Sequence, residues 1–368
     1  MTLTNYWWLL IWMFTGGLAC MLFFPKRQET FLGKKEIRWN VLPAIIVMAP
    51  YMIWGGFRGD VADTVLYRQL FNQMPKHLSG MSGYMSNVNK DKGFSVLSIL
   101  IKTFTGSNSI VYFSIIAIFQ LSVLVWLFRK YSQDYWFSVF VFIATTDYMS
   151  WVQNGIRQFT AVTIIMAGTA LYLNKRYIAA ILLILFASTI HGSAILMIPL
   201  LFILQGRAWN KKTILCIAIC GVVVLSLSQF TNVLNVLLAD TQYKNIVSDW
   251  KEFQDDGMSP IRVLVYAVPM ILSIIGFSHI RAAENKVIDF CTNASIITVI
   301  LGVIAMGTSG IFIGRLPIYV SLYANGILLP WEIENIFTKE SARLIKIIAI
   351  IFYSMFFFYQ MHFSWNFI

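Results

Sequence analysis

The feature that most constrains this chain is a succession of apolar blocks, each nearly free of charge and most of them close to the ~20 residues an α-helix needs to cross a bilayer. They run at 6–24, 39–57, 109–128, 135–153, 158–173, 177–190, 193–206, 213–231, 262–280, 288–309, 316–331 and 345–364. Read as twelve spans, they take up most of the 368 residues and leave no stretch long enough for a sizeable soluble domain. Only 12% of residues are charged, against about a quarter in a soluble domain. A soluble globular enzyme and a disordered chain are both excluded. The expected fold is an all-α polytopic membrane protein of about twelve transmembrane helices, with residues 1–368 forming a single integral-membrane domain.

The net charge of +11 could suggest nucleic acid, but the Lys and Arg residues lie in short runs between apolar blocks and form no basic stripe. Topology accounts for them better. Pro25 to Arg38 carries five basic residues and is placed in the cytoplasm by the positive-inside rule. Alternation from there puts 17 of the 28 Lys and Arg residues inside and both termini outside. No basic n-region precedes the first apolar run, so that run reads as a retained helix, not a cleaved signal. Residues 177–206 read as two short helices meeting near His191 and Gly192, because one long span would break the charge alternation. Two outer loops are large, at about 58–92 and 231–260. Within the first, Asp60 to Met74 reads as an amphipathic helix with Asp60, Asp63, Thr64 and Tyr67 on one face. Phe94 to Phe104 is too short to cross and contains Lys102, so it reads as a re-entrant or interfacial helix.

Several residues are out of place for lipid. Arg58, Arg157 and Arg315 sit at outer turns against the insertion rule, and a planar five-donor cation suits recognition of a phosphate or diphosphate. Snorkelling and helix capping are the alternatives. His191, at an outer helix junction, is a candidate general base or phosphate donor, or else a hydrogen-bonded core histidine. Asp60 and Asp63, with Tyr67, can position or deprotonate a sugar hydroxyl, although Asp60 also suits an N-cap. Asp147 is placed to pair with Arg157, and Glu252, Asp255 and Asp256 read as a solvated acidic loop. Trp7, Trp8, Trp39, Trp136, Trp151 and Trp331 fall near predicted interfaces, as in an aromatic belt. The four cysteines lie inside apolar blocks and the four histidines are dispersed, so no metal site and no cofactor are expected.

Taken in order, these residues resemble a known family. Arg58, Gly59, Asp60, then Tyr67 and Phe71, followed by Lys92, Gly93 and Phe94, resemble the opening of EpsG-like, Wzy-type repeat-unit polymerases. Arg157, Gln158 and Ala161 are similar to that family's R-Q-x-x-A turn, and His191, Ser193 and Ala194 to its H-x-S-A junction. Arg315 with Tyr319 is similar to its late R-x-x-x-Y element. One departure is that the acidic residue often seen before the Phe is replaced here by the run Asp91, Lys92, Gly93.

The resemblance implies a GT-C-like membrane glycosyltransferase acting on the outer face of the bacterial inner membrane. Its substrates would be undecaprenyl-diphosphate-linked oligosaccharides, both donor and acceptor, and its product O-antigen, capsule or exopolysaccharide. It would bind membrane lipids and no nucleic acid, and a chain-length regulator is a further candidate partner. On this reading His191, Asp60, Arg157 and Arg315 are catalytic, while Arg58, Asp63, Tyr67, Gln158 and Tyr319 join Arg157 and Arg315 in binding substrate or diphosphate. The rivals are a flippase for the same lipids, a membrane O-acyltransferase using His191, and a scaffold of the export complex. A flippase would place charges at the midplane of both halves and show an internal repeat, which this sequence does not.

Overall fold

The computed structural model describes residues 6–31, 34–240, 244–252, 255 and 257–365. They fall into two compact units, Met1–Ile198 with Arg343–Ile368, and Pro199–Ala342. Among the described residues, three helices are long and apolar enough to cross a membrane: Ser109–Tyr131, Lys286–Met306 and Lys339–Ser364. Two bent pairs would raise that number to five, Lys211–Leu225 with Leu227–Leu237 at 101° and Pro260–Ile275 with Phe277–Ala283 at 75°. Trp7–Phe23, Val41–Gly56, Tyr135–Ala144, Ile156–Ala167, Tyr177–Ile190 and Gly192–Leu204 are apolar but shorter.

The apolar blocks are helical, yet many that read as unbroken in the sequence are interrupted. π-Helical turns fall at Met13–Gly17, Tyr148–Asn154 and Ala324–Leu328, and the bends lie at Ser226 and Gly276. Such breaks survive in an apolar setting only where neighbouring groups satisfy the freed backbone. The break expected at His191 and Gly192 is present: one helix ends at Ile190 and a 3₁₀ turn begins at Gly192. Gln229 to Leu237, placed largely in a loop by the sequence, continues as helix.

Buried Tyr and Trp side chains hold the first unit together by donating to carbonyls of neighbouring helices, which satisfies their one polar end inside an apolar core. Tyr51 Oη donates to Leu9 at 2.7 Å, Tyr135 to Ala44 at 2.8 Å, Tyr148 to Tyr51 at 2.8 Å, and Trp136 Nε1 to Met13 at 3.0 Å. Trp39, Trp136, Trp151 and Trp331 are therefore core residues, not members of an aromatic belt. Between the first two helices lies an unforeseen antiparallel hairpin, Lys26–Phe31 with Lys34–Trp39, paired Lys26 to Trp39 and Glu29 to Glu36. Its basic residues do more than mark topology: Arg38 donates to the Ser132 carbonyl at 2.8 Å, while Arg129 donates to the Trp39 carbonyl at 2.8 Å and pairs with Glu29.

The amphipathic segment starts later than its sequence suggests, at Thr64, just after Ala62 adopts φ 48°. Asp60 is thereby off the helix, and the buried face is Thr64, Tyr67 and Phe71, with Val65 and Leu66 exposed. The following Lys92–Thr105 helix packs against it through Lys102, whose ammonium donates to the carbonyls of Phe71, Asn72 and Met74 at 2.7, 2.9 and 2.6 Å. Those are carbonyls a helix end leaves without intrahelical partners. Lys102 is a cap, which explains a cation in an otherwise apolar helix.

Candidate functional site

Three segments distant in sequence meet in the first unit. Asp91 precedes the Lys92–Thr105 helix with φ 51° and ψ 43°, a left-handed conformation that Asp tolerates better than most residues. Its side chain makes no capping bond to that helix, although such a bond is worth about 1 kcal/mol. The carboxylate turns elsewhere. Oδ2 lies 3.3 Å from Nη1 of Arg157 and 3.3 Å from Nδ1 of His191, and Oδ1 accepts the Gly192 N–H at 3.2 Å. Burial by itself would raise the Asp91 carboxyl. The hydrogen bond and charge of His191, the charge of Arg157 and the Gly192 amide outweigh it and hold the group below its ordinary value.

Gly93 makes the meeting of Asp91 and His191 possible. A Cβ there would fall 2.3 Å from Thr189 Oγ1 and 2.9 Å from the Thr189 carbonyl carbon, so only glycine lets the start of one helix lie against the end of the other. His191 follows Ile190 in extended conformation, φ −152°, and its backbone N–H returns to Ala187 at 3.0 Å.

Arg157 occupies the first turn of the Ile156–Ala167 helix. Its guanidinium lies 5.2 Å from the Tyr67 ring centre and 5.9 Å from that of Phe94, an arrangement that stabilises a partly desolvated cation. The π-helical turn before it is braced by the Arg58–Thr64 stretch. Arg58 Nη1 and Thr64 Oγ1 both donate to the Gln153 carbonyl at 3.4 Å, and the Asp63 N–H donates to Asn154 Oδ1 at 3.4 Å. Arg58 itself is 5% exposed, donates from Nε to Gly55 at 2.6 Å and sits 4.5 Å over the Phe113 ring.

Two cavities adjoin the cluster, with the Lys92–Thr105 helix as a wall of both. One, of about 320 Å³, is lined by Tyr67, Tyr84, Asn87, Asn89, Lys90, Phe94, Ser95, Tyr112 and Arg157, among others. The other, of about 680 Å³, is lined almost wholly by apolar groups, including Leu97, Leu100, Phe119, Ile164, Phe186 and Ile190.

Of the residues expected from the sequence, Arg157, His191 and Tyr67 are brought together here. Arg58 and Asp63 lie behind them as backbone braces, and Gln158 is buried in the core. Asp60 is turned away on Arg68, with 64% of its side chain exposed. Asp147 accepts from Thr145 and Trp151 at 3.0 Å each, and the acidic partner of Arg157 is Asp91 instead. Arg315 and Tyr319 belong to the second unit, Arg315 closing a 3₁₀ turn and Tyr319 buried at the start of a helix. Asp91 was missed by sequence reasoning. The available signal was an acidic residue directly before an apolar helix, which reads as an ordinary N-cap.

Membrane-type helices, a cluster of acid, imidazole and guanidinium at helix ends, and an apolar cavity beside it define a multi-helix membrane protein with a polar site facing an apolar one. The chain belongs to the EpsG family, whose match covers residues 40–367 and includes every residue of the cluster. Membership makes it a membrane protein of polysaccharide polymerisation. No curated protein and no solved structure matches the chain.

Proposed function

We propose that this protein is a Wzy-type, GT-C-like glycosyltransferase that polymerises undecaprenyl-diphosphate-linked oligosaccharide repeat units on the outer face of the bacterial inner membrane. The observation that carries this reading is the placement of Arg157 and the Asp91–His191 pair beside two cavities, one with Tyr, Asn and Lys groups in its lining and one almost wholly apolar. A lipid-linked glycan has the matching three parts. Its polyprenyl chain suits the 680 Å³ cavity, its sugars suit the Tyr- and Asn-lined pocket, and its diphosphate suits Arg157.

The chemistry follows from that seating. The acceptor hydroxyl oxygen attacks the anomeric carbon of the donor glycan, and the bond from that carbon to the diphosphate oxygen breaks, its electron pair leaving with undecaprenyl diphosphate. Arg157 stabilises the charge that gathers on the leaving group. Asp91 accepts from Nδ1 of His191, which leaves Nε2 to take the hydroxyl proton, and the carboxylate then stabilises the imidazolium. Arg315 is assigned, within its own unit, to a lipid diphosphate, with Tyr319 as a further candidate for binding it.

The surface glycan profile of a strain lacking the gene tests the proposal. Single repeat units retained with the polymer ladder gone is the expected result. Lipid-linked units trapped inside would point to a flippase, and an intact ladder missing a substituent would point to an acyltransferase. The lipid cavity has its own test. Ile164→Trp is expected to slow chain growth at least about tenfold with protein levels unchanged, because a clash opposes the tail. A normal ladder from that variant would remove the polyprenyl chain from this cavity.

A further inference from the structure

In the second unit, the segment before the Pro260–Ile275 helix is fastened to the end of the Lys286–Met306 helix by one carboxylate. Of the acidic residues expected in a solvated loop, Glu252 is exposed and Asp256 lies outside the described residues, but Asp255 is only 5% exposed. Oδ1 accepts the N–H groups of Gly257 at 3.0 Å and Gly310 at 2.9 Å. Oδ2 accepts the Ser309 hydroxyl at 2.7 Å and the Ile311 N–H at 3.0 Å. Four donors on one buried carboxylate offset what its desolvation costs.

The backbones interlock around it. Gly257 has φ +73°, and a Cβ there would fall 2.8 Å from the Ala305 carbonyl oxygen; a Cβ on Gly310 would fall 2.8 Å from that of Gly257. The Met258 N–H donates to Ala305 at 3.0 Å, and the fully buried Val247 joins a cluster with Cys220, Ile304, Ala305 and Ile313.

The constraint passes on toward Arg315. Ser309 Oγ, while donating to Asp255, accepts the Phe312 N–H at 3.0 Å, and the Phe312 carbonyl accepts the Arg315 N–H at 3.3 Å. The Gly314 N–H closes on the Ser309 carbonyl at 3.0 Å. A long cationic side chain on a short turn is preorganised only as far as the turn is. We propose that Asp255 is a positioning residue: it fixes the Ser309–Arg315 turn so that the Arg315 guanidinium is held ready for a lipid diphosphate. The proposal rests on the reading of Arg315 given above.

The test uses the full chain in lipid nanodiscs, with two readouts: hydrogen exchange of the 309–315 amides and binding of undecaprenyl diphosphate. Asp255→Asn is expected to speed exchange at Gly310 and Ile311 about tenfold or more and to weaken lipid binding about tenfold. Ser309→Ala, which keeps the carboxylate, should shift both in the same direction and by less. Combining Asp255→Asn with Arg315→Ala should bind no more weakly than Arg315→Ala alone, a coupling that general loss of structure would not produce. Unchanged exchange in Asp255→Asn and Ser309→Ala overturns the proposal at the latch. Faster exchange with wild-type lipid binding in both Asp255→Asn and Arg315→Ala overturns it at the site reading instead.

Discussion

Arg157→Ala is expected to erase the polymer ladder while leaving the protein in the membrane at its normal level. Two losses coincide in this variant. The departing diphosphate gives up a fixed cation at the point where charge gathers, an effect worth about 10²–10³ in rate. Asp91 gives up its guanidinium partner at 3.3 Å and is left with His191 and the Gly192 amide alone. Lysine at 157 should rescue poorly. An ammonium is a compact point charge with no planar fork, so it cannot face Asp91 with one edge and a phosphate with another. Gel analysis of surface glycan from both variants, beside a membrane blot, is the check, and a normal ladder from each would remove Arg157 from the site.

Asp91→Asn is expected to be nearly as damaging, lowering chain formation by about 10²–10⁴. The amide is almost isosteric, so folding should survive, but it no longer fixes Nδ1 of His191 as the donor. His191→Gln should cost about as much, and the double variant little more than either, because two groups acting as one unit do not add. Additive losses would mean that the two side chains work separately. The pH dependence has a defined sign. The folded-state carboxyl titrates below its ordinary value of 3.8. The stability it contributes is therefore fully present above that pH and is lost as pH falls through the lower, folded-state value. Melting curves of the wild-type protein should show that acid-side loss, and those of Asp91→Asn should show less of it.

Much of the fold was legible because it follows from one repeated pattern. Apolar blocks become helices, and charge alternation required a break within 177–206, which the structure has at His191 and Gly192. The interruptions at Ser226 and Gly276 were not legible, because they depend on what packs across the helix and no local pattern records that. The same limit governed the charged residues. Arg157 and His191 stood out because their position offends the lipid, but Arg58 offends it equally and turns out to brace the Gln153 carbonyl. Sequence position shows that a cation needs a partner without saying whether that partner is a ligand or a backbone oxygen. Asp91 and Asp255 show the converse. Each lies in a polar stretch where a carboxylate is unremarkable, and only the fold reveals that Asp91, half-buried, and Asp255, buried, both meet donors from distant parts of the chain.

Asp91 and His191 are separated by 100 residues of chain, yet each completes the other's hydrogen bonding. On a ribosome adding about 5–20 residues per second, the carboxylate is made roughly 5–20 s before its imidazole partner exists. For the first two thirds of that interval the nascent protein carries an acid at the mouth of a short apolar helix with neither Arg157 nor His191 to meet it, and for the rest with Arg157 alone. The helix that begins at Lys92 therefore cannot take its final seat until residues near Thr189 arrive to lie against Gly93. The Asp91–His191 pair thus forms only after about half of the chain has been made, and a protein truncated before residue 191 would carry most of its first unit without that pair.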